Sequence, residues 1–292
     1  MIQETIPTEA SPLVLRCEAM GTTFELVLVA ERRDQGRLKA IGEAAFDVIR
    51  EVESRWSLFL PDSRLAQLNR TGHERALALD ADDLVLFQIA SRVKSDSGGA
   101  FEPDVARAME AAGHFASRGL VACVPAVMED ASQRAGATWT LDEPSCTVRF
   151  TGLGPALDLG AIAKGHALDL AARELREYGV EAALLHGGTS SVIALGAPPD
   201  QDAWTVDVHG RQVQLRDQAL AVSHAGSQNA ENGTHILIAG VSSKSADAAN
   251  TAAVVASSAA VADAWATALC ANPELAQTAA GRLLEQNITH LP

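Results

Sequence analysis

DLGAIAKGHALD, residues 158–169, and ADAWATAL, residues 262–269, are the two stretches of sequence that decide the fold. In the first, the apolar run over 155–159 turns at Gly160 into a helix, which predicts a strand followed by a helix. The second is an alanine-rich helix that follows a short apolar strand, with a serine at 257 or 258 that can cap it. The first stretch therefore joins a strand to a helix, and the second lies in a helix that a strand precedes.

The remaining patterns predict strands and helices before and between these two stretches. Apolar segments over 13–16 and 24–29 predict two strands that meet at a turn over 20–22, where glycine permits tight geometry. Apolar residues at steps of three and four predict helices over 38–56 and from Asp82 onward. A hairpin is predicted around 142–145, and residues 180–222 alternate apolar runs with turn residues. We therefore expect an α+β fold in which antiparallel sheets pack against helices.

The length and composition predict an ordinary globular chain with a sizeable core. It has 292 residues, of which 47% are hydrophobic, and this suits one large domain or two intimately joined lobes. The first twelve residues combine Pro, Thr, Glu and Ser without an apolar run. We therefore expect a disordered tail over 1–12 and a single domain over 13–292.

Charge and cysteine usage argue against several classes of function. A formal net charge of −14 and a pI near 4.9 disfavour nucleic-acid and anionic-membrane partners, because both need Lys and Arg to neutralise phosphates. No segment approaches the ~20 apolar residues of a membrane span, so membrane insertion is not expected. The four cysteines lie far apart and the first residues do not resemble a signal peptide, which predicts reduced thiols and a cytoplasmic protein.

Asp263 and Thr267 form a candidate pair of metal ligands. They stand four apart on a predicted helix, so a carboxylate and a hydroxyl point from the same face. Hard oxygen donors suit magnesium, which uses one or two carboxylates and leaves its other positions to waters and phosphates. Because D-x-x-x-T is a common pattern, spacing alone favours the ordinary interpretation of a solvated aspartate beside an incidental threonine.

Lys164 lies close to the junction at which the predicted strand turns into a helix. A helix start exposes free backbone N–H groups and partial positive charge, which stabilise phosphates. The dipole contributes only ~0.3 to 1 kcal/mol at exposed sites, so a lysine and a metal would have to dominate. The segment is not a Walker loop, since G-x-x-x-x-G-K-[ST] is absent. The residues alone leave a phosphate site and an ordinary lysine equally open.

His235, in GTHILIAG, is the histidine of greatest interest among the eight. Beside Ile236 and other apolar residues, it is by default a core or edge histidine. A functional role would make it a general base, because neutral imidazole can accept a hydroxyl proton near pH 7. We expect His166, by contrast, to be a residue of the helix surface.

Together and in this order, the motifs resemble the FAD:protein FMN transferases of the ApbE family. The resemblance runs from about residue 19 to 269 and includes AMGTTFEL (19–26), SLFLPDSRLAQLN (57–69), GGAFEPDV (98–105), DLGAIAKGHALD, LLHGG (184–188), HIL (235–237) and ADAWATAL. Any one of these motifs is weak, but their collinear order is specific. It implies a T-fold-like architecture of two intimately joined lobes with the cofactor between them.

The resemblance also implies a reaction and a site. A member of this family uses FAD as donor, attaches FMN through a phosphoester to a threonine or serine hydroxyl of an acceptor flavoprotein, and releases AMP. Mg²⁺, with Mn²⁺ as an alternative, would lie on the diphosphate of FAD. Carried over by motif, the metal ligands are Asp263, Thr267 and the carbonyl of Ala161, and His235 is the base. The flavin-nucleotide contacts carried over in the same way are Met20, Ala100, Phe101, Glu102, Asp158, Lys164 and Ile236.

Four positions depart from the family pattern. HILIA places Ile238 and Ala239 where the family has an aspartate and a proline, and Glu102 stands where an aspartate is usual. SHAGSQ at 223–228 lacks the usual T-S-G and its aromatic neighbour, and Phe59 replaces a frequent tyrosine. Loss of the acid beside His235 removes a group that could orient the base. Two alternatives therefore stay open, a non-catalytic FAD-binding protein and an FAD pyrophosphatase that gives FMN and AMP.

Overall fold

The computed structural model describes residues 11–30, 34–125, 136–208, 210–224, 251–280, 283 and 287–291. Antiparallel sheets pack against helices in this part of the chain, which confirms the expected α+β class. The first strand begins at Ser11, and residues 1–10 of the predicted tail lie outside the described residues.

The described chain contains twelve strands, seven α-helices and a short 3-10 helix, Ala116–Arg118. The strands are β1 (Ser11–Ala19), β2 (Thr22–Ala30), β3 (Leu77–Ala78), β4 (Trp139–Asp142), β5 (Thr147–Phe150), β6 (Ala183–Gly187), β7 (Ser191–Leu195), β8 (Trp204–Val208), β9 (Arg211–Leu215), β10 (Ala219–His224), β11 (Thr251–Ala256) and β12 (Thr289–Leu291). The helices are α1 (Gln35–Trp56), α2 (Arg64–Thr71), α3 (Ala81–Asp96), α4 (Ala106–Ala111), α5 (Ala163–Glu177), α6 (Ala259–Ala271) and α7 (Leu275–Thr278). None of these helices is both long enough and apolar enough to cross a bilayer.

The main layer is a seven-stranded sheet in the order β1-β2-β6-β7-β10-β11-β12, with antiparallel neighbours throughout. Every residue of β6 and β7 is buried, because both faces of the sheet are covered. Leu185 and Ile193 belong to the cluster that packs under α1, α5 and α6. Leu184 and Val192 point the other way, into a cluster with Trp204 of the β8–β9 hairpin. Burial on two faces explains why these strands read as continuous apolar runs.

The segment over 155–159, which the apolar pattern predicts as a strand, belongs to no strand. Asn69 takes the place of a neighbouring strand, because its Nδ2 donates to the carbonyl of Leu157 (3.0 Å) and its Oδ1 accepts from the Leu157 N–H (2.8 Å). The N–H of Asp158 donates to the carbonyl of Pro103 at 2.8 Å. Buried backbone groups must be paired, and here a side chain and a loop pair them. The strand prediction was wrong because an apolar run indicates that a segment is buried. It does not indicate which groups form the segment's backbone hydrogen bonds.

Helix α6 begins against helix α5. Ser258 caps it, as predicted, by accepting a hydrogen bond from the N–H of Val261 at 3.3 Å. A second cap, which the sequence does not reveal, comes from Asp169 on α5. Its carboxylate accepts from the N–H groups of Ala259 (2.7 Å) and Ala260 (3.0 Å) and from the hydroxyl of Ser258 (2.6 Å). These bonds satisfy N–H groups that the start of a helix leaves free and tie the two helices together.

Replacing Asp169 by alanine is expected to lower the free energy of unfolding by roughly 0.5–2 kcal/mol, the usual cost of losing an N-cap. Urea unfolding followed by circular dichroism measures this change. Asp47→Ala is the matched control, because the Asp47 side chain is exposed on α1 and contacts only Arg50 at 2.6 Å among the described salt bridges. Equal stability of the two variants would contradict a capping role for Asp169.

Candidate metal and nucleotide site

Asp263 lies at the point where α6 meets α5 and the central strand β7. Its side chain is only 6% exposed, and each carboxylate oxygen accepts one hydrogen bond. The hydroxyl of Ser191 donates to Oδ1 at 2.6 Å, and the N–H of Gly165 donates to Oδ2 at 2.7 Å. Burial raises the pKa of this carboxyl, and the charge of Lys164, whose Nζ lies 3.9 Å from Oδ2, opposes that rise.

Thr267 lies one turn further along α6, so both predicted side-chain ligands stand on one helix. It is partly exposed, and its Oγ1 lies 3.3 Å from Oγ of Ser223 on β10. Ala161, the predicted carbonyl ligand, lies in the turn directly before α5 and is partly exposed. The structure therefore brings Lys164 Nζ within 3.9 Å of Asp263 Oδ2 and places Ala161 at the start of the helix that contacts Asp263.

The chemistry of these donors fits a hard divalent cation. A carboxylate, a hydroxyl and a carbonyl supply oxygen only, which is the donor type that Mg²⁺ prefers. The Asp263 carboxylate is buried, and its nearest cationic group is beyond hydrogen-bond distance, so a cation would relieve a desolvated charge. Within the described ranges no three His, Cys, Asp or Glu side chains cluster as a metal site, and the donor set thus rests on one carboxylate.

The start of α5 supplies the groups suited to a phosphate. The helix begins at Ala163, its N-cap residue Ile162 makes no capping bond, and Asp263 accepts from the N–H of Gly165 in the first turn. Lys164 follows at once, with a side chain that is 14% exposed. The N–H groups of Ala163 and Gly165 are already bonded, to the carbonyl of Leu159 at 2.8 Å and to Asp263, so an anion site here depends on the ammonium group of Lys164. Asp158 lies just before this turn, where its Oδ1 accepts from the N–H of Gly160 at 2.8 Å and burial raises its pKa.

The loop that carries Ala100, Phe101 and Glu102 lies next to the Asp158 segment, since the Asp158 N–H donates to the carbonyl of Pro103. Phe101 is buried and Ala100 is partly exposed. The Glu102 carboxylate is already engaged within the protein. That group contacts Lys94 Nζ at 2.7 Å and accepts from Trp139 Nε1 at 3.3 Å and from the Asp104 N–H at 3.0 Å. A role for Glu102 as a nucleotide contact stays a prediction.

Met20 occupies the turn between β1 and β2 in the left-handed conformation, with φ of 52°. Its N–H donates to Oε1 of Glu53 on α1 at 2.6 Å. Phe24 pairs with Gly187, so this turn lies at the same end of the sheet as Ser191, which holds Asp263. The predicted base His235 and the predicted contact Ile236 both fall outside the described residues, and their placement stays a prediction.

The sequence did not identify three groups that contact the predicted metal ligands, namely Ser191, Ser223 and the N–H of Gly165. Ser191 and Asp263 are 72 residues apart, and Gly165 and Asp263 are 98 apart. Such contacts leave no local pattern, because a serine in a buried strand reads as an ordinary core position. A polar residue in the otherwise apolar run SVIAL was the one available signal.

His166 corrects another expectation, because it is buried rather than on the helix surface. Its exposed fraction is 2%, since α5 is covered by other helices on more than one side. Burial lowers its pKa to about 4, although the nearby carboxylate of Asp82 acts in the opposite direction. The histidine is therefore neutral in the folded protein near pH 7 and has a packing role.

This buried imidazole predicts an acid-sensitive fold. The pKa of His166 is about 4 when folded and near 6.5 when unfolded, so the unfolded chain binds the proton first as the pH falls. The contribution of neutral His166 to the free energy of unfolding is complete above pH 6.5 and is lost as the pH falls from 6.5 to 4. At pH 5 the loss is about 2 kcal/mol.

Urea unfolding at pH 7.5 and pH 5 tests this linkage. His166→Gln should reduce the difference in stability between the two pH values by about 2 kcal/mol. His186→Gln should act in the same direction, because burial also lowers the pKa of His186 to about 4. A variant that remained as acid-sensitive as the wild type would refute the assignment for that histidine.

Comparisons with known proteins place this arrangement in a known architecture. The structure superposes on the flavinyl transferase ApbE of Pseudomonas stutzeri in its apo form with a TM-score of 0.74, at 20% identity, covering 98% of this chain and 93% of the other. The flavin transferase ApbE of Vibrio cholerae gives a TM-score of 0.69 at 20% identity, covering 97% and 93%. The ApbE protein of Thermotoga maritima gives 0.70 at 20% identity, covering 94% and 91%. The fold is thus that of the ApbE flavin transferases.

Sequence relationships agree with the fold. The model of the ApbE family matches residues 20–289. The FAD:protein FMN transferase of Treponema pallidum (strain Nichols) is 27% identical over 224 residues, which are 71% of this chain and 61% of that protein. The chain therefore belongs to the ApbE family, as its motifs predict, and its match spans about three fifths of that curated relative.

Proposed function

We propose that this chain is a magnesium-dependent FAD:protein FMN transferase. It would move FMN from FAD to a threonine or serine hydroxyl of an acceptor flavoprotein and release AMP. The observation that carries the proposal is that Asp263 accepts from the N–H of Gly165 and lies 3.9 Å from Lys164 Nζ, which sets a buried carboxylate beside a lysine in the first turn of α5. Membership of the ApbE family and the name of the Treponema relative support the same activity.

The metal would be held by Asp263, Thr267 and the carbonyl of Ala161, with Mn²⁺ as an alternative to Mg²⁺. When bound, the ion would supply charge neutralisation for the diphosphate of FAD, the largest need in phosphoryl-group transfer. Lys164, in the first turn of α5, would bind and orient the same diphosphate. The chain carries a net charge of −14, so these local positive groups are needed to hold an anion.

In the proposed step, the hydroxyl oxygen of the acceptor forms a bond to the phosphorus on the FMN side. The bond from that phosphorus to the bridging oxygen breaks, and AMP leaves with the bridging oxygen. On the family motif, we propose that His235 is the general base that removes the proton of the acceptor hydroxyl. His235 lies outside the described part of the chain. Met20, Ala100, Phe101, Glu102, Asp158 and Ile236 are the proposed flavin-nucleotide contacts.

The altered HILIA segment favours a second candidate, in which FAD is bound or hydrolysed without transfer. Ile238 stands where the family has an acid near the base, so a base without its orienting partner would leave metal and flavin binding intact while transfer fails. Water in place of an acceptor hydroxyl would give FMN and AMP.

One mass measurement separates these candidates. The full chain is incubated with FAD, Mg²⁺ and an acceptor domain from a protein of known flavinylation, and AMP and the acceptor mass are followed. An acceptor heavier by one FMN phosphoester, together with AMP, supports transfer. AMP without acceptor labelling supports hydrolysis, and bound FAD that is never consumed supports a binding protein.

We further propose a cytoplasmic location and a single domain over 13–292. None of the four cysteines forms a disulfide in the described structure, which is the usual state in a reducing compartment. One hydrophobic cluster includes residues of the main sheet, the helices and the three-stranded sheet β3-β5-β4, which is the packing expected of one unit. A single cooperative unfolding transition is the expected result by calorimetry.

A further inference from the structure

Each of the two α6 side chains in the proposed metal site contacts a serine hydroxyl of the main sheet. Ser191 on β7 contacts Asp263, and Ser223 on β10 contacts Thr267. Ser191 pairs with Ala221 across these neighbouring strands, and Ser223 lies two residues further on, so both serines project from the same face of the sheet. Both are buried, with exposed fractions of 3% and 8%.

Ser191 fixes the orientation of the carboxylate. Its hydroxyl donates to Oδ1 of Asp263 at 2.6 Å, while the N–H of Gly165 donates to Oδ2 at 2.7 Å. With one donor on each oxygen, the carboxylate plane cannot turn without breaking a buried hydrogen bond. Each oxygen keeps lone-pair capacity, so an ion can bind to a group whose direction is already set.

Ser223 provides what a coordinating threonine requires. A hydroxyl that offers a lone pair to a cation must direct its own hydrogen elsewhere, because a cation repels the proton. The Oγ of Ser223 lies 3.3 Å from Oγ1 of Thr267 on the sheet side, and since either hydroxyl can donate, Ser223 can accept when Thr267 binds a cation. An O–H bond from Thr267 to Ser223 therefore leaves the lone pairs of Thr267 free on the side away from the sheet.

We propose that Ser191 and Ser223 are positioning residues that orient the two side-chain ligands of the metal. The inference rests on the proposed function, since the cation is the one assigned there to Asp263 and Thr267. The two serines contact neither the nucleotide nor the reacting atoms in this assignment. Their effect is on the affinity for the cation, because partners behind metal ligands typically change that affinity by about 10- to 100-fold.

Titration of the purified full chain with Mn²⁺, with free Mn²⁺ followed by electron paramagnetic resonance, measures this affinity without any turnover. Ser191→Ala should weaken binding by nearly 100-fold, since its bond is short, and Ser223→Ala by about 10-fold. Ser223→Thr, which keeps the hydroxyl, should restore most of the affinity. Thr205→Ala is the matched control, because the Thr205 hydroxyl contacts only Gln214 on the β8–β9 hairpin among its described bonds, and it should bind as the wild type does.

A second readout separates orientation from general damage. Melting temperatures without metal report folding, and transfer assays should show a raised KM for Mn²⁺ with kcat restored at saturation. Wild-type affinity in both alanine variants would overturn the inference. If Ser191→Ala does not fold, the pair Ser223→Ala and Ser223→Thr decides in the same way.

Mn²⁺ binding and FMN transfer together distinguish an error in the proposed function from an error in the roles of the two serines. A wild-type chain that binds Mn²⁺ but transfers no FMN contradicts the transferase, while the affinities of the serine variants still decide their role. A wild-type chain that binds no Mn²⁺ overturns the metal assignment and this inference together.

Discussion

Asp263→Asn is expected to abolish both the stabilisation by Mg²⁺ and the FMN transfer that the proposed function assigns to the wild-type protein. Asp263 is the only carboxylate of the proposed ligand set, so the cation loses its one full negative partner. We expect an affinity loss larger than the ~10- to 100-fold typical of partners behind the ligands. A ligand at 100 times its Kd stabilises the folded state by about 2.7 kcal/mol, and the variant should gain almost none of this.

The same substitution should leave the metal-free fold intact. Asparagine can accept from the N–H of Gly165 and donate to the hydroxyl of Ser191, so both buried contacts of the carboxylate keep a partner. It also removes a buried charge whose desolvation raises the pKa of Asp263.

Calorimetry with Mg²⁺ and with EDTA measures both effects. The wild type should melt at a higher temperature with Mg²⁺, whereas the variant should melt at one temperature in both solutions. Asp47→Asn, on the exposed face of α1, should behave as the wild type. An Asp263→Asn protein that Mg²⁺ stabilises as fully as the wild type would show that the metal lies elsewhere.

Gly165→Ala is expected to destabilise the protein by about 3 kcal/mol, the upper end for overpacking. A Cβ at this position would lie 2.2 Å from the carbonyl oxygen and 2.4 Å from the carbonyl carbon of Ala259. Both atoms belong to the backbone of α6, so no side-chain rotation relieves the clash and the two helices must separate. The N–H that donates to Asp263 would move with α5, and the affinity for the cation should fall as well.

Gly36→Ala is the matched control for this prediction. Gly36 lies in the first turn of α1, and a Cβ there would meet no atom within 4 Å. Alanine should therefore stabilise that helix by roughly 0.5–1 kcal/mol. Urea unfolding of the two variants should give changes of opposite sign. Unchanged stability in Gly165→Ala would mean that the α5–α6 contact is looser than the structure indicates.

The sequence predicted those features of the site that depend on local spacing. Asp263 and Thr267 share one face of α6 because a step of four residues is about one helical turn, and Lys164 lies in the first turn of α5 because the helix begins just after the glycine turn. The motif order also gave the family correctly, since collinear motifs over most of the chain are specific even when each is weak.

Features that depend on distant partners were not predictable. The segment at 155–159 is apolar enough for a strand, yet Asn69, 88 residues from Leu157, supplies its hydrogen bonds. His166 reads as a surface residue because its position on α5 does not reveal how many helices cover it. The bond from Ser191 to Asp263 exists only when β7 and α6 meet.

The distances along the chain between these partners also determine when the site can form. Ribosomes release the chain from its N-terminus at about 5–20 residues per second, and sheets built from distant pairings fold slowly. β7 and α5 are synthesised well before α6. The hydrogen-bond donors of Ser191 and Gly165 are therefore present before the Asp263 carboxylate that accepts from them. Until β11 arrives, β10 is an open edge on which a second nascent chain could add. If Asp263 holds the proposed cation, binding is therefore confined to chains whose translation has passed α6.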